Sequence, residues 1–192
     1  MKIIPGVVAL LEKKAVAGSI LAALYARHYN DVIRREIELG AITSEDRVLN
    51  IGCGGIPFTA IKINQLTGAR VYAVDRDKEA IAAAKRCIKS FGLENEVTAA
   101  CIDGTAKIPF DYTVVLVALQ AEPKKAIYEN LVDQGSPGAR LIFRRPRREL
   151  SHQYDLLPEK PQPCGFVHQN EVTFDSSVLY TVQGNSVLNR VS

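Results

Sequence analysis

Val48-Leu-Asn-Ile-Gly-Cys-Gly-Gly-Ile-Pro-Phe-Thr59 is an apolar run that stops at Gly52, Gly54 and Gly55, and it reads as a buried strand turning tightly into a helix. Glycines let the backbone approach a ligand with no Cβ in the way, and Pro57 suits a first helical turn, where no amide donor is needed. Downstream, Ala69-Arg-Val-Tyr-Ala-Val-Asp75 reads as a second short buried strand ending in an acid. A carboxylate there can accept both hydroxyls of a ribose. Strand, glycine turn, helix, strand and an acid about twenty residues on form the nucleotide-binding βαβ pattern. A GxG turn alone would equally fit a strand-helix turn with no ligand; Asp75 at the right distance makes nucleoside binding the expectation. A dinucleotide fold wants a third glycine three residues after Gly54, where this chain has Pro57, and that counts against NAD or FAD.

Working outward, the 192 residues suit one domain of ordinary size, 41–192, preceded by a helical extension, 1–40. From Ala15 to Leu39 apolar residues recur at three and four, the period of an amphipathic helix, and Gly40 ends it. After Asp75, Asp77 is placed to cap an alanine-rich helix, Lys78 to Phe91, which Gly92 stops. Glu96 to Asp103 reads as a third strand, and Tyr112 to Leu119, the most apolar segment, as a central strand buried on both faces. A helix running to Val132, a fifth strand from Ala139 to Arg144, and a closing antiparallel strand or hairpin from Glu171 to Val182 complete the pattern. Strands alternating with helices and then an all-β end predict a doubly wound, mostly parallel α/β sheet of seven strands, Rossmann-like. The irregular piece from Pro146 to Pro163, with four prolines, is long enough to cover a site.

Ligands of such sheets sit at the carboxyl ends of the strands. Gly52, Cys53, Gly54, Asp75, Arg76, Asp103, Gly104 and Ala118 all fall there and form the expected nucleoside-binding set. Asp103 can meet an adenine amino group or simply stand in a surface turn. Glu122, at the end of the central strand, suits a reaction centre, although Glu before Pro is also a routine helix start.

The form GxG followed by an acid ending the next strand resembles class I S-adenosylmethionine-dependent methyltransferases, with Asn50 where many of them carry an acid. Within that superfamily, Gly52-Cys-Gly-Gly-Ile-Pro-Phe-Thr59, Ala121-Glu-Pro-Lys124, Phe143-Arg144, Tyr154 and the helix Tyr29-Asn-Asp-Val-Ile-Arg-Arg-Glu36 are together similar to nicotianamine synthases, over residues 25 to 182. The resemblance implies S-adenosylmethionine as co-substrate and transfer of its aminocarboxypropyl group to an amine of a small amino-acid-like acceptor. It also implies Tyr29, then Tyr25, as catalytic residues with Glu122, and Arg144 and Tyr154 as substrate-binding residues; core packing is the alternative for both tyrosines. Methyl transfer on the same fold, or a non-catalytic partner subunit, are the rival readings.

The chain departs from that family in its front part, only about 40 residues, where Glu12 is the nearest acid, and in the cluster Arg144, Arg145, Arg147 and Arg148. Such a cluster suits a carboxylate or phosphate, or a solvated turn. A net charge of +3 and 23% charged residues give no case for nucleic acid, and neither N-terminal apolar run is long enough to cross a bilayer. Cys53, Cys87, Cys101 and Cys164 are widely spaced and predict reduced thiols with no metal site, as in a cytoplasmic protein. The apolar N-terminal helix could serve as a homo-oligomer interface.

Overall fold

The computed structural model describes residues 18–157 and 160–184, with side chains from residue 29. Helix α1 (Gly18–Gly40) leads into β1 (Arg47–Ile51), and the glycine turn joins β1 to α2 (Phe58–Thr67). Then come β2 (Arg70–Asp75), α3 (Lys78–Ser90), β3 (Val97–Cys101), β4 (Val114–Val117), α4 (Lys124–Gln134) and β5 (Arg140–Pro146). A 3₁₀ helix (Arg148–Gln153) precedes the closing strands β6 (Gly165–His168) and β7 (Phe174–Thr181). Among the described residues these strands form one seven-stranded sheet in the order β3-β2-β1-β4-β5-β7-β6. The first five are parallel and β7 runs antiparallel to both neighbours. This is the doubly wound arrangement expected from the alternation of strands and helices.

A parallel sheet covered on both faces needs strands that are apolar throughout, and all four residues of β4 are buried. On one face α1, α2 and α3 bring Ile33, Ile61, Ile63, Ile81 and Ile88 against Val48, Val71 and Val114. On the other, α4 brings Ile127 and Leu131 against Leu49, Val115 and Leu141. The stretch after β3 supplies no helix, and Phe110 covers that face instead by stacking on Tyr72 with ring centroids 4.2 Å apart.

Gly40 ends α1 as read, followed by the left-handed Ala41 with φ of 45°. Gly40 packs closely on the sheet, where a Cβ would stand 2.8 Å from Ile142 Cδ1 and make that side chain move. Two other local features differ from the sequence reading. The closing hairpin takes its first strand from 165–168, ahead of the expected 171–182. With Phe166 62% exposed, β6 lacks the buried face that would have marked it. The proline-rich piece is not wholly irregular, since it contains the 3₁₀ helix.

At the amino ends of β1, β4 and β5, Asp46 accepts from Thr43 N (2.9 Å), Thr113 Oγ1 (2.7 Å) and the Arg140 guanidinium. Burial by itself raises this carboxyl, but the hydrogen bonds from Thr113 and Thr43 and the Arg140 charge hold it below the usual carboxylate range. A carboxyl depressed in the folded state stabilises above its unfolded value, and that contribution fades as pH falls through the folded one. Urea unfolding across an acid series should therefore show a loss of stability below about pH 4 that Asp46→Asn reduces. An unchanged acid slope in the variant would refute this.

Candidate active site

Because β1 lies between β2 and β4, its chain must leave the sheet abruptly at the carboxyl end. Gly52 and Gly54 manage this with φ of 78° and 65°, the left-handed region that glycine enters without penalty. The amides of Gly52 and Cys53 both donate to Val74 O, at 2.9 and 3.1 Å. Gly54 N donates to Asp75 Oδ2 at 2.9 Å, and Asp77 N to Asp75 Oδ1 at 3.0 Å. Asp77 then caps α3 through the amides of Glu79 and Ala80, as its position predicted. So Asp75 fastens the glycine turn to the end of β2. A Cβ on Gly52 would meet Ala118 Cβ at 3.2 Å and Ala121 Cβ at 3.3 Å, whereas one on Gly54 would meet nothing within 4 Å. The first glycine lets two loops close up; the second faces open space.

That space is a cleft of about 470 Å³, the size of a small-molecule site. All eight residues of the expected nucleoside set line it: Gly52, Cys53, Gly54, Asp75, Arg76, Asp103, Gly104 and Ala118. Tyr29, Glu122 and Arg144 line it too. Tyr154 is not among the lining residues and packs against the buried Val32, Leu119 and Phe174. Glu12 and the side chain of Tyr25 lie outside the described residues.

The lining residues divide by chemistry. Asp103 Oδ1 accepts from the amide and hydroxyl of Thr105, both at 2.8 Å, and the backbone bond is the main reason its carboxyl sits below the usual range. Gly104 is a packing glycine, since a Cβ there would stand 2.9 Å from Ile51 Cγ2. Arg76 reaches Glu122 as an ion pair at 3.5 Å and also donates to Glu122 O at 3.3 Å. Burial and the nearby Asp75 push the Cys53 thiol up to about 12, so it stays neutral and is no nucleophile. Asn50 donates to Leu116 O at 3.3 Å, while its Oδ1 is buried with no hydrogen-bond partner. An orphaned acceptor on a cleft wall is the place for a ligand donor.

Arg144 ties the cleft to α1. It is 7% exposed, and its Nε and Nη2 form a fork on the two carboxylate oxygens of the fully buried Glu36, each at 2.8 Å. Nη2 also donates to Thr59 Oγ1 at 3.2 Å, and Nη1 donates to the Tyr29 hydroxyl. The guanidinium lies over the rings of Tyr29 and Phe174, 5.2 and 5.3 Å from their centroids. Burial alone would lower its pKa, but Glu36 more than reverses this and Arg144 stays charged. Arg144, expected to hold substrate, lines the cleft and is bonded to Glu36, Thr59 and Tyr29, the tyrosine expected to be catalytic. Glu36, Thr59 and Asn50 stood in the stretches quoted from the sequence but were not named there as site residues. The available signal for Glu36 was its spacing, seven residues after Tyr29 and three after the buried Ile33, which puts an acid on the packed stripe of the helix. Among the described residues no cluster suited to a metal is present, and no helix is long and apolar enough to cross a membrane.

Removing one partner of a buried ion pair leaves the other charge uncompensated. Glu36→Ala should therefore cost about 3–5 kcal/mol in urea unfolding, and the double variant Glu36→Met/Arg144→Met should recover most of that loss. A double variant no more stable than the single one would show that the pair is not the source of the effect.

A family model for methyltransferase domains matches residues 42–180. L-histidine 2-aminobutanoyltransferase from Yersinia pestis is 29% identical over 123 residues, which cover 62% of this chain and 45% of that protein. The protein of the same name from Pseudomonas aeruginosa is 27% identical over 114 residues, covering 58% and 43%. The chain thus matches less than half the length of these relatives. Among solved structures, MtNAS in complex with MTA and tNA superposes with a TM-score of 0.76 at 21% identity, over 92% of this chain and 67% of that one. An RNA methyltransferase from Salinibacter ruber in complex with S-adenosyl-L-homocysteine gives 0.66 at 19% identity, over 80% and 91%. At these identities the structures establish a shared fold.

Proposed function

The chain belongs to the methyltransferase-domain family, and from that premise we propose an S-adenosylmethionine-dependent transferase that moves an aminocarboxypropyl group onto an amine of a small amino-acid-like acceptor. The observation that carries this reading is one cleft holding both the glycine turn with Asp75 and Asp103 and a tyrosine hydroxyl fixed by Arg144 and Thr59. The partial match to two L-histidine 2-aminobutanoyltransferases supports the same class of transfer and makes histidine the first acceptor to test.

S-adenosylmethionine supplies a sulfonium that activates each of its three attached carbons. The residues decide which carbon meets the acceptor. Asp75 is suited to the ribose hydroxyls and Asp103 to the adenine amino group, while Gly54 leaves room for the backbone to lie close. The orphaned Asn50 Oδ1 suits an ammonium donor. An attacking amine must lose a proton, and the Tyr29 hydroxyl, which takes a hydrogen bond from a cation, is placed to orient that amine. Glu122 at the cleft margin is the second group suited to this role. Alignment of nucleophile and carbon is the larger part of the task, since positioning can supply roughly 7–11 kcal/mol.

Methyl transfer is the second reading, favoured by the match over 91% of a solved RNA methyltransferase. The purine product separates the two. Incubation with S-adenosylmethionine and mixed amino acids including histidine should release methylthioadenosine, detected by mass spectrometry; S-adenosylhomocysteine alone would reverse the assignment to methyl transfer, and binding with neither product would mark a non-catalytic subunit. In titration calorimetry Gly54→Val should abolish S-adenosylmethionine binding, and Asp75→Ala should weaken it by about 1–3 kcal/mol. Tyr29→Phe should bind normally but turn over roughly a hundredfold more slowly. Unchanged turnover would remove Tyr29 from the chemistry.

A further inference from the structure

A second cavity, of about 400 Å³, lies beneath the proline-rich segment at the start of α4. Of its lining residues only Arg144 is shared with the main cleft. Its polar wall carries the donor groups of Lys124, Arg145 and Tyr180. Lys124, 1% exposed, uses its ammonium to hold Leu119 O and Ala121 O, and an ammonium has a third donor. The backbone of Arg145, from the arginine cluster, pairs with Ser176 of β7, while its side chain is exposed and has no hydrogen bond or ion pair among the described residues. The hydroxyl of Tyr180 also has no partner there, although its ring is packed between Tyr128 and Phe143.

The one acid in the lining, Asp155, does not answer them, because its oxygens accept from the backbone amides of Lys124 and Leu156. Burial lowers Lys124 to about 8, against the opposing pull of Asp155 and Glu122, so it is still mostly a cation at neutral pH. The remaining wall is apolar, with Leu156 half exposed and Leu157 beside it. The buried Lys124, the exposed Arg145 and the Tyr180 phenol line one cavity and together form a donor set that suits an anion, and the volume exceeds what a bare ion fills.

We propose that this second cavity binds a small organic anion, its carboxylate or phosphate head on Lys124, Arg145 and Tyr180 and its short apolar body on Leu156 and Leu157. The occupant touches Lys124, the residue that fixes the Leu119–Ala121 loop beside the main cleft. Nothing in this assignment depends on which group the main cleft transfers.

The test is titration calorimetry of the full chain at fixed ionic strength with hexanoate and hexyl phosphate, against acetate, inorganic phosphate and hexanol. Saturable binding of either six-carbon anion, tighter than its short counterpart and absent for hexanol, is the expected result; which of the two binds identifies the head group. Arg145→Gln should weaken that binding roughly tenfold or more and Tyr180→Phe by a few fold, while Asp75→Ala leaves it within about twofold. No saturation with any anion, equal binding of hexanol, wild-type affinity in both Arg145→Gln and Tyr180→Phe, or loss in Asp75→Ala would each overturn the proposal.

Discussion

The fork between Arg144 and Glu36 joins the N-terminal helix to the fifth strand, and the placement of Tyr29 on the cleft wall depends on it. Two charges withdrawn from water are costly unless their geometry is close to ideal. Here each nitrogen of the fork meets a carboxylate oxygen at 2.8 Å, and Ser177 Oγ adds a third bond to Glu36 at 2.8 Å. The pair therefore fixes where α1 sits on the sheet. Tyr29, two turns earlier on that helix, is carried with it and receives the remaining reach of the same guanidinium. One buried interaction thus serves both packing and the position of a hydroxyl.

The opposite end of the cleft is organised by hydrogen bonds to backbone. Asp75 holds the glycine turn, Asp77 holds the first turn of α3, and Asp103 holds Thr105. Each acid sits directly after or at the end of a parallel strand, where helix starts and loop amides point outward. Of these, Asp75 and Asp103 line the cleft while holding their loops in register.

Much of this was legible in the sequence, for local reasons. The glycine turn, Asp75, and the unbroken apolar β4 announce themselves by composition over a few residues, and the eight expected nucleoside-binding positions do come together. The rest was hidden because it rests on contacts far apart in the chain. Glu36 and Arg144 are 108 residues apart, and nothing near either one signals the other. Asn50 looked like a weakened acid, and only burial shows its amide to be half satisfied. Strand β6 escaped notice because one face is exposed and it is four residues long, so neither period nor apolar content separates it from a loop. Tyr154 matched a family pattern in spacing, and its packing against Val32, Leu119 and Phe174 is a placement that sequence distance cannot give.

The close approach at Gly52 has a consequence for how the fold tolerates change. The gap between the loops after β1 and β4 is set by the methyl groups of Ala118 and Ala121 standing just beyond a missing side chain. These three positions behave as a single spacer, and its thickness determines how far apart the two lips of the cleft stand. A bulkier residue at any one of them would press on the other two, so the width of the cleft can change there while Asp75 and Asp103 keep their hydrogen bonds.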